Sequence, residues 1–234
     1  MNTSSDWSGR VLNAALQEQP SLVLSFYSYG IMLQKHTEQG LSEYPVDPEQ
    51  VALALSAKVG FNTGLLSGAT LLIRSEGVQK TVVEFRRGQK TGLWLEGSET
   101  PVRIPLPPLL LIRVTTENKN PQYQVYAVKK RPASADADLF NAPLPNVYAS
   151  GNICWGSVKT VSDEALSGSS LAEDWQRLLG TRFGDHSVSG KSKQFPRDIR
   201  QMFIDMEKRN ARVYRKSDLI SAKKTLAQVL GSER

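Results

Sequence analysis

The fold is decided by the stretch Pro145-Asn146-Val147-Tyr148-Ala149-Ser150-Gly151-Asn152-Ile153-Cys154-Trp155. It contains the only cysteine of the 234-residue chain, placed eight residues after the asparagine of a Pro-Asn turn. A lone cysteine is compatible with two roles, because a thiol packs as a small buried hydrophobe and is also a strong nucleophile. The residues around Cys154 have to decide between these two roles.

Composition limits the class of protein. Apolar residues make up 40% of the chain and charged residues 22%, which is typical of a soluble globular protein. The longest apolar run, Leu109-Leu110-Leu111-Ile112, is too short to cross a bilayer, and the N-terminus shows no secretory signal. Because a lone cysteine cannot form an intramolecular disulfide, we expect a cytoplasmic protein.

The net charge of +6 is concentrated at one end of the chain. Residues 185–234 hold 12 Lys and Arg against 6 Asp and Glu, and the remainder is balanced. A basic end of this kind can bind an acidic partner or nucleic acid, and it can equally be the solvated face of a helical pair. The charge pattern leaves both possibilities open.

The segments before the Cys154 stretch predict mainly strands. A short helix is expected over residues 8–17, a β-hairpin around Gly30, and a helix that begins at Pro48 with Asp47 as N-cap. Strands separated by short turns predict an antiparallel meander, which Pro105-Leu106-Pro107-Pro108 interrupts with a bend or a sheet edge. The five predicted strands of this meander are 70–74, 81–85, 93–95, 109–114 and 124–128.

Helices are predicted after the Cys154 stretch. Ser170 and Glu173 have the spacing of a capping box, residues 199–206 form an apolar stripe, and a last helix is expected from Ser217 to Gly231. The Gly- and Ser-rich stretch 184–194 predicts a linker. The fold class is therefore α+β. We expect three regions: an N-terminal extension with a hairpin (1–45), a core (46–184) with a long loop (131–156), and a basic helical C-terminal region (185–234).

The Pro-Asn turn, Tyr148, Gly151 and Cys154 resemble the active-site segment of ubiquitin-conjugating enzymes, where a His-Pro-Asn turn precedes the catalytic cysteine by the same spacing. The element 105–108 is similar to the proline-rich element of that family. Leu144 occupies the position where the family usually has His. This departure and the Cys154-Trp155-Gly156 sequence resemble the prokaryotic branch, and most closely the B proteins of PRTRC cassettes.

The resemblance implies a fold, an activity and partners. The family fold is an antiparallel meander sheet flanked by helices. Its activity would be that of a carrier enzyme, with Cys154 accepting the C-terminus of a ubiquitin-like protein as a thioester and passing it to an amine. The implied partners are a ThiF-type activating enzyme and a small β-grasp ubiquitin-like protein. No metal and no cofactor is predicted.

The resemblance also assigns roles to single residues. Asn146 would stabilise the loop, would help the oxyanion of the transfer step, or would do both. Pro145 belongs to the turn, and Gly151 permits a positive φ or a close approach of the incoming chain. Two roles stay open for each aromatic residue. Tyr148 could pack the loop or present its hydroxyl to the thiol, and Trp155 could shield the thioester or belong to the core.

Three other functions are compatible with the sequence. Leu144 cannot make the hydrogen bonds of the usual His, which is compatible with a catalytically weak adaptor. The basic region 185–234 is compatible with a nucleic-acid-associated protein. A Cys-His protease dyad would need His36 or His186, and both lie far from Cys154 in the sequence. Asp163 and Glu164 are expected to be surface charges, with a role at an acceptor amine as the alternative.

Overall fold

The computed structural model describes residues 22–37, 40–56, 63, 65–116, 119–156 and 168–231. The helix predicted over 8–17 and the carboxylates Asp163 and Glu164 lie outside these ranges. The chain divides into two compact units, residues 1–62 and residues 63–234. The boundary between the two units, at residues 62 and 63, therefore falls inside the region 46–184 that the sequence analysis groups as one core.

The first unit contains a small antiparallel sheet and one helix. Strand β1 (Leu22–Tyr27) pairs with β2 (Gly30–Thr37), which pairs with β3 (Gly40–Val46). The predicted hairpin is therefore confirmed, and β3 is an additional strand. Helix α1 (Pro48–Ser56) follows, and the Asp47 carboxylate accepts a hydrogen bond from the Glu49 N–H at 2.9 Å. This is the capping contact that the sequence predicts.

The second unit is built on two sheets. The strands preceding the long loop confirm the predicted positions, with β7 as an addition: β4 (Thr70–Glu76), β5 (Gln79–Arg86), β6 (Lys90–Leu95), β7 (Val102–Pro105), β8 (Leu109–Thr116) and β9 (Gln122–Ala127). A short strand β10 (Asp138–Asn141) lies within the long loop. Residues 106–108 connect β7 to β8, so the proline-rich element is a bend, as predicted.

The strand order departs from a simple meander. The six-stranded sheet runs β12-β10-β9-β8-β5-β4, where β12 is Ser221–Thr225, and β5 pairs directly with β8. Strands β6 and β7 form a separate three-stranded sheet with β11 (Arg182–Phe183). The prediction that strand 93–95 belongs to the meander is therefore wrong. The chain leaves the six-stranded sheet after β5, forms β6 and β7 in the second sheet, and returns at β8.

The C-terminal part is only partly helical. Helix α2 (Ala172–Gly180) leads into β11 (Arg182–Phe183), and α3 (Ile199–Lys208) follows. The last helix predicted from Ser217 is wrong, since β12 (Ser221–Thr225) precedes a short α4 (Leu226–Leu230) that Thr225 caps. The predicted capping box at Ser170 is also absent, because Leu171 is the N-cap of α2 and makes no side-chain cap bond.

The core lies on both faces of the six-stranded sheet. Leu109 and Leu111 of β8 belong to one cluster, which α2 and α3 cover, whereas Leu110 and Ile112 belong to a second cluster, which α4 covers. This arrangement explains the continuous apolar run of β8, since alternate residues of a strand face opposite sides. Within the described ranges, no helix is long and apolar enough to span a membrane.

Candidate active site around Cys154

The Pro-Asn turn and Cys154 are the two ends of a small hairpin. Val147 and Ile153 form an antiparallel bridge, the Tyr148 N–H donates to the Asn152 carbonyl at 2.8 Å, and the Cys154 N–H donates to the Asn146 carbonyl at 2.7 Å. Residues 146 and 154 are therefore cross-strand neighbours. The eight-residue spacing has a direct physical meaning, because it is the separation that brings Asn146 and Cys154 opposite each other.

The hairpin is fixed to strand β9. The Val125 N–H donates to the Gly151 carbonyl at 2.8 Å, and the Tyr126 hydroxyl donates to the Ser150 carbonyl. Gly151 has a φ of +88°, and a Cβ built there would lie 2.4 Å from the Tyr126 ring. Glycine is required at this position for both reasons, and the close approach is to Tyr126 of the same chain.

Asn146 has a left-handed backbone and contacts Cys154 through its main chain. Its φ is 60°, which asparagine tolerates better than most residues. Its N–H donates to the His186 carbonyl at 2.8 Å, and its Nδ2 donates to the Arg182 carbonyl at 3.5 Å. The Oδ1 atom is buried and has no hydrogen-bond partner among the described residues. These contacts stabilise the turn, and the weak one at Nδ2 leaves the amide available for another partner.

Tyr148 is the exposed aromatic residue of the hairpin. The residue is 47% exposed, and its interaction with the neighbouring Cys154 thiol raises the pKa of the phenol. Cys154 itself is half-buried and has no disulfide partner. The exposure of Tyr148 argues against the packing role, and a contact between its hydroxyl and the sulfur stays a prediction.

The residues flanking the hairpin are part of the core. Leu144 is fully buried in the main cluster, and Pro145 is also buried. Trp155 packs against the same cluster and meets the Tyr123 ring edge-on, with 5.1 Å between the ring centroids. The core role of Trp155 is therefore the one that the contacts support. Leu144 orders the chain by packing and offers no hydrogen bond where the resembling family has an imidazole.

A buried polar network lies behind Trp155. The Tyr123 hydroxyl donates to Asp174 at 2.8 Å, and Asp174 forms an ion pair with Arg113 at 2.9 Å. Both charged side chains are 1% exposed. Burial, together with the hydrogen bond to Asp174, raises the pKa of Tyr123 and keeps the phenol protonated. The network holds the ring on which Trp155 packs.

The sequence missed one contributor to the site, the loop 184–194. This stretch was predicted to be a linker, but Lys191 and Ser192 are buried, and Ser187 and Lys191 both contact the Val147 carbonyl. The linker prediction is therefore wrong. A Gly- and Ser-rich composition gives no signal for such packing, because it depends on the long-range placement of the loop beside the Pro-Asn turn.

Several cations of the basic region have partners within the fold. Arg200 pairs with Asp198 at 2.8 Å, Arg209 pairs with Asp205 at 2.9 Å, and Lys191 is buried. Binding of nucleic acid by residues 185–234 stays a prediction. No group of three or more metal-ligating side chains is found in the described part of the chain.

The fold and the hairpin indicate a class of protein, and comparison with known families identifies the family. An α+β unit that carries a half-buried thiol on a hairpin beside a Pro-Asn turn has the arrangement expected of a conjugating-enzyme-like protein. Residues 51–222 match Prokaryotic E2 family D, and the chain belongs to this family. No significant match was found among curated proteins or among solved structures.

Proposed function

We propose that this protein is a carrier enzyme for a ubiquitin-like protein, with Cys154 as the thioester-forming residue. Membership of an E2-like family suggests ubiquitin-like conjugation. The observation that carries the assignment to Cys154 is the hairpin, which holds the half-buried thiol opposite Asn146. The sequence offers no second thiol that could take this role.

The proposed reaction has two acyl transfers. In the first, Cys154 Sγ bonds to the C-terminal carbonyl carbon of the modifier, and the bond from that carbon to a cysteine of the activating enzyme breaks. The departing sulfur takes up the proton that the Cys154 thiol gives up. In the second, an amine nitrogen bonds to the carbonyl carbon, the bond to Cys154 breaks, and a proton from the amine restores the thiol.

Two neighbouring residues have roles in this scheme. We assign to the Tyr148 hydroxyl the role of a hydrogen-bond donor to the sulfur, which is the attacking atom of the first step and the leaving atom of the second. Asn146 stabilises the oxyanion of the second step through Nδ2, which must leave the Arg182 carbonyl. Their contact of 3.5 Å is at the limit of a hydrogen bond, so its loss costs little.

The partners follow from the resemblance of the hairpin to the PRTRC B proteins. We propose a ThiF-type activating enzyme as acyl donor and a small β-grasp ubiquitin-like protein as modifier. The test combines both with ATP and this protein and examines the products by gel with and without reductant. We expect a thiol-labile adduct with the wild type, a more stable oxyester or no adduct with Cys154→Ser, and no adduct with Cys154→Ala.

The step assigned to Asn146 has its own test. With Asn146→Ala we expect the thioester to form at a near-normal rate and its discharge to an added amine to slow by about 100-fold or more, the effect typical of one lost oxyanion donor. Equal losses in both steps would show that Asn146 acts only by stabilising the turn.

The alternative of a catalytically weak adaptor is favoured by one observation, the burial of Leu144 in place of the usual His. An adaptor would bind the modifier or the activating enzyme without forming a thioester. Retained binding together with the absence of any thiol-labile adduct would support this alternative over the carrier enzyme.

A further inference from the structure

The Val147 carbonyl is the point where a second loop contacts the active-site hairpin. Ser187 Oγ donates to this oxygen at 2.8 Å, and Lys191 Nζ also donates to it. A carbonyl oxygen has two lone pairs, so these two donors saturate it. The carbonyl of His186, the residue before Ser187, accepts a hydrogen bond from the Asn146 N–H at 2.8 Å. We call His186, Ser187 and Lys191 the clasp.

Lys191 is buried in a way that packing alone does not explain. Its side chain is 2% exposed, and desolvation lowers its pKa to about 8. Among the described residues, no carboxylate forms an ion pair with it. Burying an ammonium group without a counter-charge is costly, and an aliphatic side chain of the same length would fill the space at lower cost. The hydrogen bond to Val147 is the contact that this nitrogen provides.

The clasp is connected to the thiol through a single peptide plane. The Val147 carbonyl and the Tyr148 N–H belong to the same rigid peptide unit. That N–H donates to the Asn152 carbonyl at 2.8 Å, across the hairpin in which the Cys154 N–H donates to the Asn146 carbonyl at 2.7 Å. Fixing the carbonyl therefore fixes the hairpin register that places Cys154 opposite Asn146.

We propose that Lys191 and Ser187 are positioning residues for the reaction at Cys154, and that they order the Pro-Asn turn through the Val147 carbonyl. They supply the hydrogen bonds that the fully buried aliphatic side chain of Leu144 cannot make. The inference rests on the proposed function for the reaction that is positioned. The hydrogen bonds themselves can be tested without any partner protein.

The first test is amide hydrogen exchange of the Tyr148 and Cys154 N–H groups. Lys191→Met keeps most of the side-chain volume and removes the donor. Lys193→Met is the matched control, because Lys193 is exposed and contacts Asp218 only through its backbone N–H. We expect both amides to exchange about tenfold faster or more in Lys191→Met, as for the loss of one buried hydrogen bond, and to stay unchanged in Lys193→Met.

Two results would overturn the proposal. In one, Lys191→Met leaves the exchange of these amides unchanged, which would mean that the clasp does not order the hairpin. In the other, exchange rises equally in β8 and β9, which would make Lys191 a residue of general stability. If Lys191→Met does not fold, Ser187→Ala removes the second donor from a half-buried position, and the same outcomes apply to it.

The second test separates positioning from simple exposure of the thiol. Cys154 is reacted with a short synthetic peptide thioester and, separately, with iodoacetamide, and both adducts are followed by intact mass spectrometry. We expect Lys191→Met to slow acyl transfer about tenfold and to change alkylation by less than about threefold, since only the first reaction requires an oriented carbonyl. Equal effects on both reactions would contradict a positioning role. A wild type inert to the thioester, with exchange as expected, would instead count against the proposed carrier function.

Discussion

Gly151→Ala gives a sharp test of how the hairpin is held against the sheet. The added Cβ would lie 2.4 Å from Tyr126 Cζ and 2.7 Å from its hydroxyl oxygen. Tyr126 is fully buried and its hydroxyl binds the Ser150 carbonyl, so the ring has no open space to enter. Overpacking of this kind costs about 1–3 kcal/mol. The left-handed backbone at φ +88° adds about 1–2 kcal/mol for a residue with a Cβ.

We therefore expect Gly151→Ala to lower the free energy of unfolding by about 2–5 kcal/mol. Gly156→Ala is the matched control, since Gly156 has a φ of +56° and no atom within 4 Å of the built Cβ. It should show only the backbone cost of about 1–2 kcal/mol. Both are measured by urea unfolding, with the slope of the transition as a check on two-state behaviour. Equal costs for the two variants would refute the packing of Gly151 against Tyr126.

Three further predictions concern the core and one helix end. Leu144→His should lower stability by about 1–3 kcal/mol without raising activity, because it buries an imidazole among apolar side chains, and a gain in discharge rate would contradict this. Asp174→Ala should cost about 3–5 kcal/mol by leaving the Arg113 charge without its carboxylate, whereas Asp205→Ala at an exposed pair should cost less than about 1 kcal/mol. Asp198→Ala should remove the N-cap of α3 at a cost of about 1 kcal/mol. The Arg200 hydrogen bond lowers the pKa of Asp198 below 3.8, so this stabilisation is present above about pH 4 and is lost as the pH falls further.

Much of the site could be predicted because its determinants are local in the sequence. The spacing of Asn146 and Cys154 defines a hairpin register, and Gly151 marks the position where a side chain does not fit. The strands from β4 to β9 have clear apolar patterns and turn residues between them. These features depend on neighbours within about ten residues, which is the range that a sequence pattern reports.

The features that were missed depend on long-range contacts. Strand β12 has the sequence Ser-Ala-Lys-Lys-Thr, which has no apolar alternation, and it pairs with β10 about 80 residues earlier in the chain. The same reason applies to β6, whose own pattern does not specify which sheet it joins. Lys191 resembles a solvated linker residue in sequence, and only the placement of its loop beside Val147 explains its burial.

The central claim, that Cys154 carries the modifier, is tested most directly by mapping the adduct. The protein is incubated with the activating enzyme, the β-grasp protein and ATP, and the product is measured by intact mass spectrometry and then by peptide mapping. The account predicts one modifier per chain, attached at Cys154 through a bond that reductant cleaves and absent in Cys154→Ala. An adduct that forms equally in Cys154→Ala, or that resists reductant in the wild type, would contradict it.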